Sequence, residues 1–220
     1  MRYKRDITAR IKRVYLLLQS QRFVIYGLLF VVNFLIPALN LMTFLSNGTM
    51  SELNISIRRC FQLFLPFTSS LWFLFPFRCL VDEKGAEILF LNKDKTKLLD
   101  ALLIFTMMMV NISAMSFIYS FFVNGMAYLW LRIILICIFY FGASYFLIFL
   151  TGSVTPALLF LIVYTLLNLI EPFNKTLFPF YYSPEAPPII VACEIPLAFT
   201  GVILILAGTY IAKRKRCFSH

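Results

Sequence analysis

The sequence predicts an all-α polytopic membrane protein. Six transmembrane helices are expected, with an N-terminal amphipathic helix in the interface and a cytoplasmic coupling helix between the second and third spans. Three observations carry this expectation. Hydrophobic residues are 61% of the 220 and charged residues only 14%, against about 25% in soluble domains, and the mean hydropathy is +0.86. The apolar residues gather into six runs, each close to the ~20 residues that cross a ~30 Å hydrocarbon core. Sixteen of the twenty Lys and Arg residues fall in segments that six crossings place on one side.

Residues 1–22 carry seven basic side chains: Arg2, Lys4, Arg5, Arg10, Lys12, Arg13 and Arg22. Ile7, Ile11, Val14 and Leu18 recur at helical spacing, with Arg10, Lys12 and Arg13 away from that stripe. This is the pattern of an amphipathic helix in the cytoplasmic interface rather than a cleaved secretory signal. The spans follow in 23–212, at Phe23–Leu45, Cys60–Phe77, Leu98–Val123, Leu129–Leu150, Val154–Ile170 and Ile189–Ala212. The fifth is the shortest. A basic tail, 213–220, closes the chain with Lys213, Arg214, Lys215 and Arg216.

An even number of crossings puts both termini on one side, and the basic residues make that side cytoplasmic in a cell membrane. Arg58 and Arg59, on the opposite side, count weakly against it. Asn124–Tyr128 and Thr151–Ser153 read as tight turns, making spans three to five adjacent antiparallel hairpins. The external connection 171–188 differs, with five of the ten prolines and a cluster of Phe and Tyr. It reads equally as a re-entrant cap over a pathway or as an ordinary interfacial loop. The cytoplasmic loop 82–97 is the longest polar interruption. Its alternating charges, with Asp82 and Glu83 at the start, give way to Ile88–Leu91, as in a short capped helix lying against a surface.

Several function classes are excluded. The single histidine is His220, so neither paired histidines for a metalloprotease nor a Ser/His dyad exists, and no catalytic or metal-binding residue is assigned. No Gly-rich phosphate cradle occurs, so the chain binds no nucleotide cofactor itself. The net charge of +10 sits at span edges, which suits anionic headgroups and not nucleic acid. The five cysteines are scattered, and Cys60–Cys193 is the one pairing left open.

Polar groups within the apolar runs are the remaining candidates. Arg132, Glu171, Glu194 and Asp100 lie near span ends, where snorkelling removes most of the cost of a charge. Arg132 with Glu171 or Glu194 forms a candidate outer gate, against the reading of independent headgroup contacts. Asn33, Gln62, Asn111 and Asn168 are uncharged polar residues inside spans. They line a pathway or, as is commoner, make interhelical hydrogen bonds. Pro37, Pro66, Pro76, Pro156 and Pro196 are placed to bend the spans.

Asp82-Glu83-Lys84-Gly85-Ala86-Glu87-Ile88-Leu89, six spans and a basic N-terminal helix together resemble the membrane subunits of type-2 ABC exporters. Glu83, Gly85, Glu87 and Leu89 match that family's loop pattern best. Ala86 stands where Thr is common, and Asn92-Lys93-Asp94 where Pro is common. The resemblance implies a coupling helix, with Glu83, Gly85, Glu87, Ile88 and Leu89 in a groove of a cytosolic ATP-binding-cassette subunit. It implies that ATP and Mg²⁺ are bound by that partner, and that a second permease subunit, identical or similar, completes the pathway. By the same analogy spans one, two and five line it. Large side chains such as Phe34, Phe64, Trp72 and Tyr164 suit an amphipathic or hydrophobic cargo: a peptide, a drug or a lipid-like molecule, as in bacterial peptide-antibiotic export and immunity. The competing classes are a stand-alone secondary transporter or channel, and a scaffold that moves nothing.

Overall fold

A computed structural model describes residues 11–12, 14–47, 49–81, 97–122, 125–170 and 191–217. Every regular element among them is helical. A helical segment, 14–20, leads through a turn at Gln21 into α1 (Arg22–Phe30). A π-helical segment, Val31–Leu35, joins α1 to α2 (Ile36–Asn47). Then come α3 (Met50–Val81), α4 (Lys97–Ser120), α5 (Met126–Thr151), α6 (Thr155–Ile170) and α7 (Val191–Cys217).

Five of these helical stretches are long and apolar enough to cross a membrane: Arg22–Ser46, Leu53–Arg78, Leu98–Ser120, Met126–Thr151 and Glu194–Arg214. Thr155–Leu167 is a shorter apolar helix. Several apolar helices of this length are the mark of a multi-pass membrane protein. The whole of α6, at 16 residues, is about 24 Å long, short of a ~30 Å core.

The π segment follows from Pro37. A proline has no N–H to donate, and its ring clashes with the carbonyl four residues back, here Asn33. The chain widens by one residue just ahead of it, and the Ile36 N–H bonds Val31 O five residues back. In α3, Pro66 and Pro76 are both interior. The Ser69 and Ser70 hydroxyls donate to Pro66 O at 2.8 and 3.1 Å. This helix starts ten residues before the expected Cys60. The added turns have polar partners, because the Ser56 hydroxyl donates to Asn40 Oδ1 at 3.0 Å across the α2–α3 hairpin. The fourth helix stops at Ser120, ahead of the expected Val123, and α7 runs past Ala212 to Cys217. On the N-terminal stripe, Val14 is buried and Leu18 packs against the core, while Ile11 is exposed. Ile7 lies outside the described residues.

The bundle is built around α5, which is buried along its length by Ile133, Cys137, Tyr140, Phe141, Tyr145 and Ile148 among others. The Ser69 hydroxyl meets Cys137 Sγ, and Phe73 meets Phe141, so α3 and α5 run parallel. Trp130 Nε1–H donates to Ser113 Oγ at 3.0 Å, and Phe105 stacks on Phe141, which makes α4 antiparallel to α5. The Tyr140 and Thr165 hydroxyls pair at 3.1 Å on the α6 side. Gly125 and Gly152 have φ of +78° and +77° and set the two ends of α5, a conformation open to glycine at little cost.

Helix α7 lies parallel to α5 in one constant stagger. Arg132 meets Glu194, the Phe139 backbone meets Gly201 and the Phe146 backbone meets Gly208. Successive pairs are seven residues apart on both helices, the repeat of a left-handed helix pair. In lipid, where burying apolar surface gains little, such close backbone approach is what holds helices together.

Candidate functional site

Among the described residues, two groups of polar side chains meet inside the bundle, apart from other buried polar residues such as Gln62 and Asp100. The first is the ion pair of Arg132 Nε with Glu194, side chains 6% and 0% exposed. Arg132 lies in the second turn of α5 and Glu194 in the first turn of α7. The α5–α7 stagger brings them together. A lone buried charge is expensive, and mutual neutralisation removes most of that cost. The pair therefore locks the first turns of two parallel helices at one end of the bundle. Glu171, the other sequence candidate for Arg132, lies outside the described residues.

The second centre is an amide cluster at the π segment. Asn33 Nδ2 donates to Leu29 O at 2.9 Å, and Asn111 Nδ2 donates to Asn33 Oδ1 at 3.4 Å. This is the interhelical bond that such residues commonly make. One turn beyond Pro37, Asn40 is 2% exposed and accepts the Ser56 hydroxyl, with Tyr119 beside it. A cavity of about 420 Å³ opens next to these groups, between the first-span helix, α3 and α4. Asn33, Pro37 and Asn40 form one wall, Leu53 and Ile57 a second, Met115 and Tyr119 a third.

Sequence reasoning picked out Asn33 but missed Asn40 and Tyr119. The signal was present, because Asn33, Pro37, Asn40 and Phe44 recur at helical spacing and fall on one face. Gln62 is buried in α3 and is not part of the cavity wall. The side chain of Asn168 lies outside the described set. The large side chains expected along a pathway do not share one surface within a single copy. Phe34 stacks on Phe30 at the exposed exterior, Trp72 is buried, and Tyr164 packs on Phe139, Tyr140 and Phe160.

The coupling candidates Glu83, Gly85, Glu87, Ile88 and Leu89 also lie outside the described residues. Their place in the chain is fixed by the helices on either side. Since α3, α5 and α7 are parallel, the end of α3, the α5–α6 turn and the basic end of α7 share one end of the bundle. Among the described residues no group of His, Cys, Asp and Glu is arranged to hold a metal ion. Cys60 is a free thiol, and the side chain of Cys193 lies outside the described set. Compared with known proteins, the chain matches no family model, no curated sequence and no solved structure.

Proposed function

We propose that this chain is the permease subunit of an ATP-driven exporter of the type-2 ABC kind. It moves an amphipathic or hydrophobic cargo outward, powered by separate ATP-binding-cassette subunits that carry the ATP and Mg²⁺. Two copies, or this chain and a similar one, enclose the pathway. Both termini and the 82–97 loop face the cytoplasm of the cell. In this reading α6 is the fifth crossing, its short length made up by tilt-free insertion or local thinning of the bilayer.

The observation that carries the reading is the acid–Gly–acid pattern of the sequence between α3 and α4. The end of α3 and the start of α4, which flank it in the chain, lie at the end of the bundle that also holds Arg22, Arg78, Lys213 and Arg214. A lever must be polar enough to fold outside the bilayer and apolar on one edge to fill a partner's groove. Glu83 and Glu87 meet the first need, Ile88 and Leu89 the second, and Gly85 permits close backbone approach. At the other end, this reading makes the Arg132–Glu194 ion pair the outer closure.

Affinity purification of the tagged chain in mild detergent tests this. A nucleotide-hydrolysing subunit should co-purify, and Glu87→Lys should reduce its recovery at least tenfold while the chain still inserts. Purification free of any ATPase, together with transport indifferent to Glu87→Lys, would leave the stand-alone transporter or channel. Reconstitution without any transport would leave the scaffold.

A further inference from the structure

Helix α7 carries an exposed stripe whose chemistry changes along its length. Phe199, Ile203, Leu206 and Tyr210 recur at four- and three-residue steps, on one face, and all are exposed. Lys213 follows three residues on and is exposed as well. The stripe is therefore apolar, then phenolic, then cationic. A membrane phospholipid presents the matching order of acyl chain, glycerol ester and phosphate.

Depth agrees with that match. The α5–α7 stagger sets Gly208 against Phe146, so Tyr210 stands level with Ile148. Tyr128, exposed at the start of α5, is twenty residues from Ile148, about 30 Å along the axis. That is the thickness of a hydrocarbon core, so Tyr128 and Tyr210 mark its two boundaries. Lys213, nearly one turn beyond Tyr210, falls in the headgroup layer.

The two boundaries differ in charge. At the Tyr210 end Arg22, Arg78, Lys213 and Arg214 are all exposed, while Asp100 is 2% exposed. Arg78 is level with Phe146 by the Ser69–Cys137 and Phe73–Phe141 contacts, hence within one turn of Tyr210. At the Tyr128 end no Lys or Arg is exposed among the described residues. Arg58 there is half-buried with its guanidinium against Gly125, and Arg132 is paired with Glu194.

We propose that the α7 stripe binds an anionic phospholipid, with the acyl chain along Phe199–Leu206, the ester level with Tyr210 and the phosphate on Lys213. The neighbouring cations, with no exposed carboxylate among the described residues to receive a choline or ethanolamine, select a headgroup of net negative charge. Such a site requires only that the chain spans a bilayer, and it stands whether or not an ATP-binding partner exists.

The full chain in nanodiscs of phosphatidylcholine with a minor fraction of phosphatidylglycerol tests it. Both leaflets then have one composition, so any difference between the two ends is a property of the protein. Trace phosphatidylglycerol or phosphatidylcholine, each with the same diazirine near the carbonyl end of one acyl chain, is photolysed and the label mapped. The glycerol-to-choline label ratio at Leu206–Arg214 should exceed that at Met126–Leu131 about fivefold, the effect of one cation held at an anionic surface. At ~1 M salt, where the screening length is about 3 Å, most of that excess should disappear. Lys213→Gln/Arg214→Gln should remove most of it at low salt, and Arg58→Gln should leave it unchanged. Equal ratios at the two ends overturn the proposal, as does an excess indifferent to salt. Failure of either lipid to label the stripe also overturns it, and assigns that face to a protein partner such as a second copy. These three outcomes are read on the unaltered chain, so they decide the matter even where a variant fails to fold.

Discussion

Arg132 and Glu194 come from the fourth and sixth apolar runs, yet their side chains meet in a space almost closed to solvent. Each charge is tolerable there only because of the other. Removing one partner leaves a buried charge uncompensated, and such losses run to about 3–5 kcal/mol. Arg132→Gln or Glu194→Gln should therefore lower the thermal midpoint of the purified chain in detergent markedly. The double variant Arg132→Met/Glu194→Leu should be more stable than either single one. Singles that unfold with the native protein would mean that water reaches the pair. An ion pair of Arg132 with Glu171 or Glu194 was one of two readings the sequence left open, beside independent headgroup contacts. The choice of Glu194 was not legible. It depends on the rotation of α7 about its axis, which the Gly201 and Gly208 contacts set.

At the scale of elements, the α5–α7 seam rests on glycines that admit no Cβ. A methyl group built on Gly142 would overlap the Gly201 backbone, and one on Gly201 would lie 2.7 Å from Phe139 Cα. Backbone cannot swing aside as a side chain does, so Gly142→Ala or Gly201→Ala should cost about 1–3 kcal/mol by forcing the helices apart. Gly27→Ala is the internal control. Nothing lies within 4 Å of its new methyl, and alanine is the better helix former by about 0.8–1.0 kcal/mol. Chemical denaturation of the three variants in one detergent should give two losses and one neutral or gained value. Equal behaviour of all three would show that α5 and α7 are not packed at van der Waals contact. The π segment belongs to this scale too. Pro37 announced a break in the first span, but whether the chain bends, breaks or widens is decided by its neighbours. Here Asn111 on α4 holds Asn33 in the widened turn.

For the whole molecule, orientation in the bilayer is the property that every functional reading uses. If both termini are cytoplasmic, an impermeant maleimide applied to intact cells should leave Cys217 unlabelled until the membrane is opened. Cys60, ten residues and about 15 Å into α3, should react from outside only to the extent that solvent reaches that depth. Labelling of Cys217 in sealed cells would invert the topology and with it the direction of the proposed transport.

The sequence by itself determined that the chain is helical, that it carries several membrane-length apolar segments, and where its charges concentrate. Those properties are additive along the chain, since each depends on local composition summed over about twenty residues. Only the tertiary structure decided that α5 is the hub, that α7 joins it in parallel through a glycine seam, and that Asn40 faces a cavity. Apolar side chains look alike to lipid and to protein, so composition cannot say which face meets which. Shape decides that, through how closely two backbones approach and which polar group finds a partner.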